Sequence, residues 1–153
     1  MADYSAIYTL GAITFNNGVF ANGSNDDLYW IDTIHGLDGP TLRVPSEDVP
    51  FGHGGIVHKS WKGPRHPVFE GRMIVQSVAP SACQARFNAM EKALREALDA
   101  IIAPTSGTLS WTAPGDGSHS LTVFYERTLE IQPADNFRTR HFDFGLIAQD
   151  PDL

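Results

Sequence analysis

The chain has 153 residues, 42% of them hydrophobic and 19% charged, with a formal net charge of −7. That length suits one domain, which removes roughly 68–70% of its unfolded surface from water and needs no covalent staples. The acidic balance argues against a protein that clamps nucleic acid, since phosphates are gripped mainly by Lys and Arg, and the lone Cys83 excludes an internal disulfide and any Cys-pair zinc knuckle.

The start, "MADYSAIYTLGAI", lacks the basic residues and apolar run of a secretory signal. No apolar stretch approaches the roughly 18 residues of a membrane span, so no membrane partner is expected. "AIYTLGAITF" (6–15) is apolar and aromatic, broken at Gly11, and reads as one strand or two short ones. "NNG" (16–18) and "NGSNDD" (22–27) are turn chemistry, because Asn and Gly accept the left-handed backbone of tight turns. "LYWIDTI" (28–34) is a strand of mixed pattern, and "TLRV" (41–44) a short edge strand.

From 45 to 66 no periodicity persists. This stretch holds three of the six histidines and is expected to be a long extended loop or arm; so long a connection in a compact domain usually carries function. "VFEGRMIVQSV" (68–78) is a strand whose core face carries Phe69, Gly71, Met73 and Val75. The spacing of Phe87, Met90, Leu94, Leu98, Ile101 and Ile102 predicts an amphipathic helix over 82–103, stopped by Pro104. Ser81 followed by Gln84 fits a capping box at its start. After "TLSWTA" (108–113), two long alternating runs joined by "PADNF" predict a β-hairpin over 120–149, with Phe142, Phe144, Leu146 and Ala148 on one face. The expected fold is α+β: one domain over 1–153, mainly antiparallel β, sandwich- or barrel-like, with one helix packed on the sheet.

The chemistry-bearing residues form no familiar constellation. His53, His58 and His66, with Glu47 or Asp48, could converge on a metal, but they lack the i, i+4 pairing of helical zinc sites. "GHGG" resembles an esterase oxyanion loop without the G-x-S-x-G elbow that gives such a loop its purpose, and "HKSWKG" lacks the glycine spacing of a phosphate loop. The acidic pairs Asp26/Asp27, Glu47/Asp48 and Asp150/Asp152 sit in turn-like or terminal sequence. Lys59, Lys62, Arg65 and Trp61 make a small basic-aromatic cluster able to stack a base. No catalytic residue, cofactor or metal site is assigned.

The order of the parts is more informative. "DGP" leads into a Gly/Pro loop, then "FEGRMIVQS", the helix "RFNAMEKALREALDAI", "SGTLSW", a long hairpin, and "FDFGLIAQDPDL". Nearly the whole chain resembles, in layout, the N-terminal domain of the distal tail proteins of long-tailed bacteriophages. The resemblance implies a tail-tube-like fold and a structural, non-enzymatic role in the virion tail, following assembly in the host cytoplasm. It implies a ring of itself, six copies around the tail channel, between the tail-tube protein and the tail-tip hub and tape-measure proteins. DNA would be a partner only in transit. Many members continue into a carbohydrate-binding-like domain; with the present chain ending at Leu153, no sugar site of its own is expected.

In such a ring each subunit offers different surfaces to its two neighbours. The stretch 45–66 is therefore expected to be an inter-subunit arm, with Phe51, Ile56 and Trp61 as apolar anchors beside His53, His58 and Arg65. A tail-tube or tail-terminator subunit is the nearest rival. A glycan-binding β-sandwich using Trp30, Trp61 or Trp111, and a metalloenzyme using the loop histidines, are the rivals of other classes.

Overall fold

Gly11 breaks the first apolar run in two. Its φ of +58° opens a two-residue turn, so strand β1 (Ile7–Leu10) folds back onto β2 (Ile13–Phe15) with Leu10 opposite Ile13. The computed structural model describes residues 6–16, 27–37, 39, 42–44, 46–48, 55–57, 61–76, 78–113, 115, 117–133 and 136–149; residues 42, 43, 46–48, 55–57, 61 and 113 are described by their strand pairing alone.

Seven strands close into a barrel in the order β1, β2, β3 (Asp27–His35), β8 (Val68–Val75), β11 (Thr139–Ala148), β10 (Gly117–Pro133) and β9 (Gly107–Ala113), which pairs back to β1. This bears out the mainly β, barrel-like fold with one helix. Every pairing in it is antiparallel except β2 with β3, where Phe15 meets Tyr29 in parallel. That short joint is held by Asn16, whose φ of +56° lets its side chain turn inward. Its Nδ2 donates to the Ala6 carbonyl at 3.2 Å, its Oδ1 accepts from the Ile31 N–H at 2.7 Å, and its own N–H donates to Tyr29 O at 2.9 Å.

The core is aromatic. Phe15, Phe69, Phe142 and Phe144 sit with ring centroids 5.1–6.3 Å apart, and Tyr8 meets Phe69 edge-on at 6.2 Å. Phe69, Gly71, Met73 and Val75 of β8 lie on the face that alternation assigned to the interior, and Phe142 and Phe144 share one buried face of β11. Strand β3 reads as mixed because a bulge separates Ile31 from Thr33 in its pairing with β8 and inserts Asp32. Strand β10 slips twice against β11, around Arg127, and the two slips restore the parity that keeps Leu129 inside.

The helix α1 runs Pro80–Asp99, which corrects both predicted ends. It begins earlier because Pro80, with no N–H to lose, takes the first turn; Ala79 is the extended N-cap and no side chain caps it, so the Ser81 capping box does not form. It ends earlier because the Ile101 carbonyl accepts from the Tyr125 N–H of β10 at 2.9 Å, while short bonds such as Ile101 N–H to Leu98 O close the last turn. Cys83, Phe87, Met90, Leu94, Leu98 and Ile101 join the core; Ile102 does not, and is 51% exposed. Tyr29 is anchored beneath the helix, its hydroxyl donating to Met90 O at 2.8 Å.

Two measurements check this packing. A Cβ at Gly71 would run into the Trp30 carbonyl and lie 2.8 Å from Phe142 Cζ, so Gly71→Ala lowers urea-unfolding stability by about 1–3 kcal/mol. Burial first, then the Asp27 carboxylate, pushes the Tyr29 hydroxyl from 10.0 up to about 12. The unfolded chain releases that proton near the ordinary value, so the stability Tyr29 provides is intact below pH 10 and lost as pH rises through about 12. Replacing Tyr29 with Phe should flatten stability across that window; an unchanged slope would refute the assignment.

Candidate assembly surface

The excursion between β3 and β8 is not structureless. Leu42–Arg43 (β4) pairs with Trp61–Lys62 (β7), and Ser46–Asp48 (β5) pairs with Gly55–Val57 (β6). The registers Leu42↔Lys62 and Glu47↔Ile56 make this excursion two short antiparallel pairs, β5–β6 nested within β4–β7 in chain order. Ile56 and Trp61 thus belong to its returning side, whereas Phe51, His53 and His58 lie outside the described residues.

Arg65 is 5% exposed and folded onto its own barrel. Its N–H donates to Ala148 O and its carbonyl accepts from Ala148 N, both at 2.9 Å, while Nη1 donates to Leu37 O at 2.8 Å. Pro67 O accepts from Leu146 N–H at 2.8 Å. Gly36, at φ +75°, lets the outgoing chain pass so close to His66 O that any Cβ would collide with it. The excursion therefore rejoins the barrel at Arg65. The reason is chemical: a guanidinium reaching the inner carbonyl of Leu37 satisfies a backbone group that the chain crossing would otherwise strand. His66, one of the supposed metal ligands, has its Nδ1 2.8 Å from Glu126 Oε2. Among the described residues no group of three or more His, Cys, Asp or Glu side chains is arranged to hold a metal.

The face of the barrel turned away from the core carries an arrangement that single-strand patterns do not reveal. Register places Glu70 of β8, Asp143 of β11 and Glu130 of β10 in one row across three adjacent strands. Asp32 stands beside them on the bulge, and a groove of about 310 Å3 runs between these carboxylates and His141. Two members are compensated. Arg72 grips Asp32 with Nε–Oδ2 at 2.9 Å and Nη2–Oδ1 at 2.8 Å, and Arg127 Nη2 lies 3.2 Å from Asp143 Oδ1. Glu70 and Glu130 have no ion pair among the described residues. Strand alternation fixes all of this: Phe69, Gly71, Phe142 and Phe144 point inward, so their neighbours point outward.

The tryptophans bear on the glycan rival. Trp111 stacks on Tyr8 at 6.3 Å and on His119 at 5.4 Å, with interplanar angles of 26° and 24°, so protein rings already stack against it. Trp30 stands in the row of Arg72 and His141, and the side chain of Trp61 lies outside the description.

Like charges directly opposite across strands repel by about 0.2–1 kcal/mol. Glu130→Gln should therefore raise the melting temperature at low ionic strength, and added salt should shrink the gain. A loss of stability would show that the row is held by compensation the geometry does not display.

No protein-family model and no curated protein matches the chain. Among solved structures, its fold is similar to that of the SPP1 Dit (gp 19.1) protein, a paradigm of hub adsorption apparatus in Gram-positive-infecting phages. The TM-score is 0.56 at 10% sequence identity, over 80% of the chain and 45% of SPP1 Dit. The chain thus spans less than half the length of that protein, and what the two share is the fold.

Proposed function

We propose that the chain is a structural protein of a long-tailed bacteriophage tail: a distal component whose copies, six in number, ring the tail channel. It joins the tail-tube protein above to the tail-tip hub and tape-measure proteins below, with DNA a passing partner. The observation that carries this reading is the fold. The mainly β fold with one flanking helix, expected from the layout of the sequence, is a closed barrel similar over most of the chain to a phage hub protein.

Two features of the molecule suit the role. The excursion from β4 to β7 leaves the barrel from a root fixed at Gly36, Arg65 and Ala148. In the ring it lies across a neighbour as an inter-subunit arm, with Phe51, Ile56 and Trp61 supplying buried contact and His53 and His58 beside them; Arg65 fixes its angle from within. The carboxylate row faces the channel, where it repels phosphates and lets DNA slide past without adhering. The chain itself carries out no bond-making.

Electron microscopy of the purified protein, paired with native mass spectrometry, tests the reading. Rings with a central hole and the mass of six copies are expected, with hydrogen exchange of residues 45–64 slowed on assembly. A species that stays monomeric at every concentration would overturn the ring. Rings whose 45–64 segment exchanges as fast as in the monomer would overturn the arm.

A further inference from the structure

Two large apolar side chains stand in solvent at opposite ends of α1. Phe137, in the turn between β10 and β11, is 60% exposed, and Ile102, just past the helix, 51%. The helix has 20 residues, which at ~1.5 Å each separates its ends by about 30 Å. Their surroundings are opposite in shape. Phe137 joins Pro80, Phe87 and Pro133 around a groove of about 410 Å3 beside the first turn. Ile102 begins an exposed turn, 102–105, closed by the Thr105 N–H on Ile102 O at 3.0 Å.

The two ends are also opposite in charge. At the groove, α1 presents an uncapped first turn, the positive end of its dipole, with no acidic residue in it. Arg140 lines the groove, its Nη2 donating to Gln84 Oε1 at 2.7 Å, and Arg138 stands beside it, its guanidinium spent on neutral acceptors: Val78 O at 3.0 Å, Cys83 Sγ at 3.8 Å, and the Phe137 ring at 5.0 Å. At the other end the helix dipole is negative, Asp99 is exposed, and no basic residue occupies the last turn. Neither Asp99 nor Arg138 has an ion pair among the described residues.

We propose that these are the two halves of one contact between copies of this chain. The turn 102–105 of one copy seats in the Pro80–Phe87–Phe137 groove of the next, with Ile102 against Phe137 and Asp99 facing Arg138. Because the halves differ and lie at opposite ends of α1, the contact is heterologous and repeats head to tail, as a ring requires. Successive helices then align dipole to dipole, and each exposed apolar residue is covered by the other. The proposal rests on the ring reading and names the surfaces that build it.

Cross-linking tests it on the full-length chain. Ile102→Cys and Phe137→Cys are introduced singly and together, with Cys83 left in place because it is buried. A short bis-maleimide should convert the double variant into a ladder of covalent multimers. A mixture of the two single variants should give only a dimer, linked from position 102 of one copy to position 137 of the other. Rings in the micrographs without these products would overturn this contact and leave the ring reading standing, a separate tail protein then being the occupant of the groove. The ladder without rings would uphold the contact and overturn the ring; neither product nor ring would overturn both. Wild-type protein gives an independent readout free of any folding defect: hydroxyl-radical oxidation of Phe137 should fall severalfold on assembly, and an unchanged rate counts against the contact.

Discussion

The stack of Phe15, Phe69, Phe142 and Phe144 is the constraint on which the rest of the barrel depends. These rings come from β2, β8 and β11, and they fill the space that the closing strands enclose. Removing one such ring typically costs about 3–5 kcal/mol, a large share of the stability of an ordinary domain. The stack also dictates what faces outward. A strand has period two, so holding Phe142 and Phe144 inside forces Asp143 out, and holding Phe69 and Gly71 inside forces out Glu70. The acidic row is thus the outer face of the same arrangement that packs the interior. Its mutual repulsion is tolerated because a one-residue slip of β11 to relieve it would turn Phe142 and Phe144 out of the core.

The barrel's polar side chains serve its backbone. Asn16 bridges the one parallel joint, Arg65 reaches the Leu37 carbonyl, Tyr29 bonds to Met90 O, and the Tyr125 hydroxyl accepts from the Leu129 N–H where β10 slips. Arg138 does the same at the mouth of the helix, donating to Val78 O. Most of them stand where regular pairing is interrupted, and there they satisfy groups that burial would otherwise leave unpaired. Polar atoms committed in this way hold the surface of the barrel in a fixed shape. That rigidity suits a part whose proposed work is fitting against copies of itself.

The helix stands apart, with both ends electrostatically uncompensated. A helix selected only for stability would carry an acidic residue or a capping side chain at its start and a basic one at its end. Here the start has Pro80 and no side-chain cap, and the end has Asp99. Packing of Phe87, Met90, Leu94 and Leu98 against the barrel supplies the stability that the termini do not. In the proposed contact those ends meet a neighbour.

By itself the sequence determined the periodicities, and through them the class of fold. Alternation in 68–75 and 139–148, and the helical spacing of Phe87, Met90, Leu94 and Leu98, each sort buried from exposed residues correctly, because those patterns follow from local backbone geometry. The helix ends depart from the local pattern where other residues intervene: Tyr125 takes the carbonyl of Ile101, and Pro80 displaces Ser81 at the start. Arg65 looks like part of a loop because nothing in its neighbourhood announces Leu37 and Ala148 as partners. The row of Glu70, Asp143 and Glu130, and the separation of Phe137 from Ile102 along α1, were decided only by the tertiary structure. They depend on which strands become neighbours and in what register, and those choices are made by contacts between residues far apart in the chain.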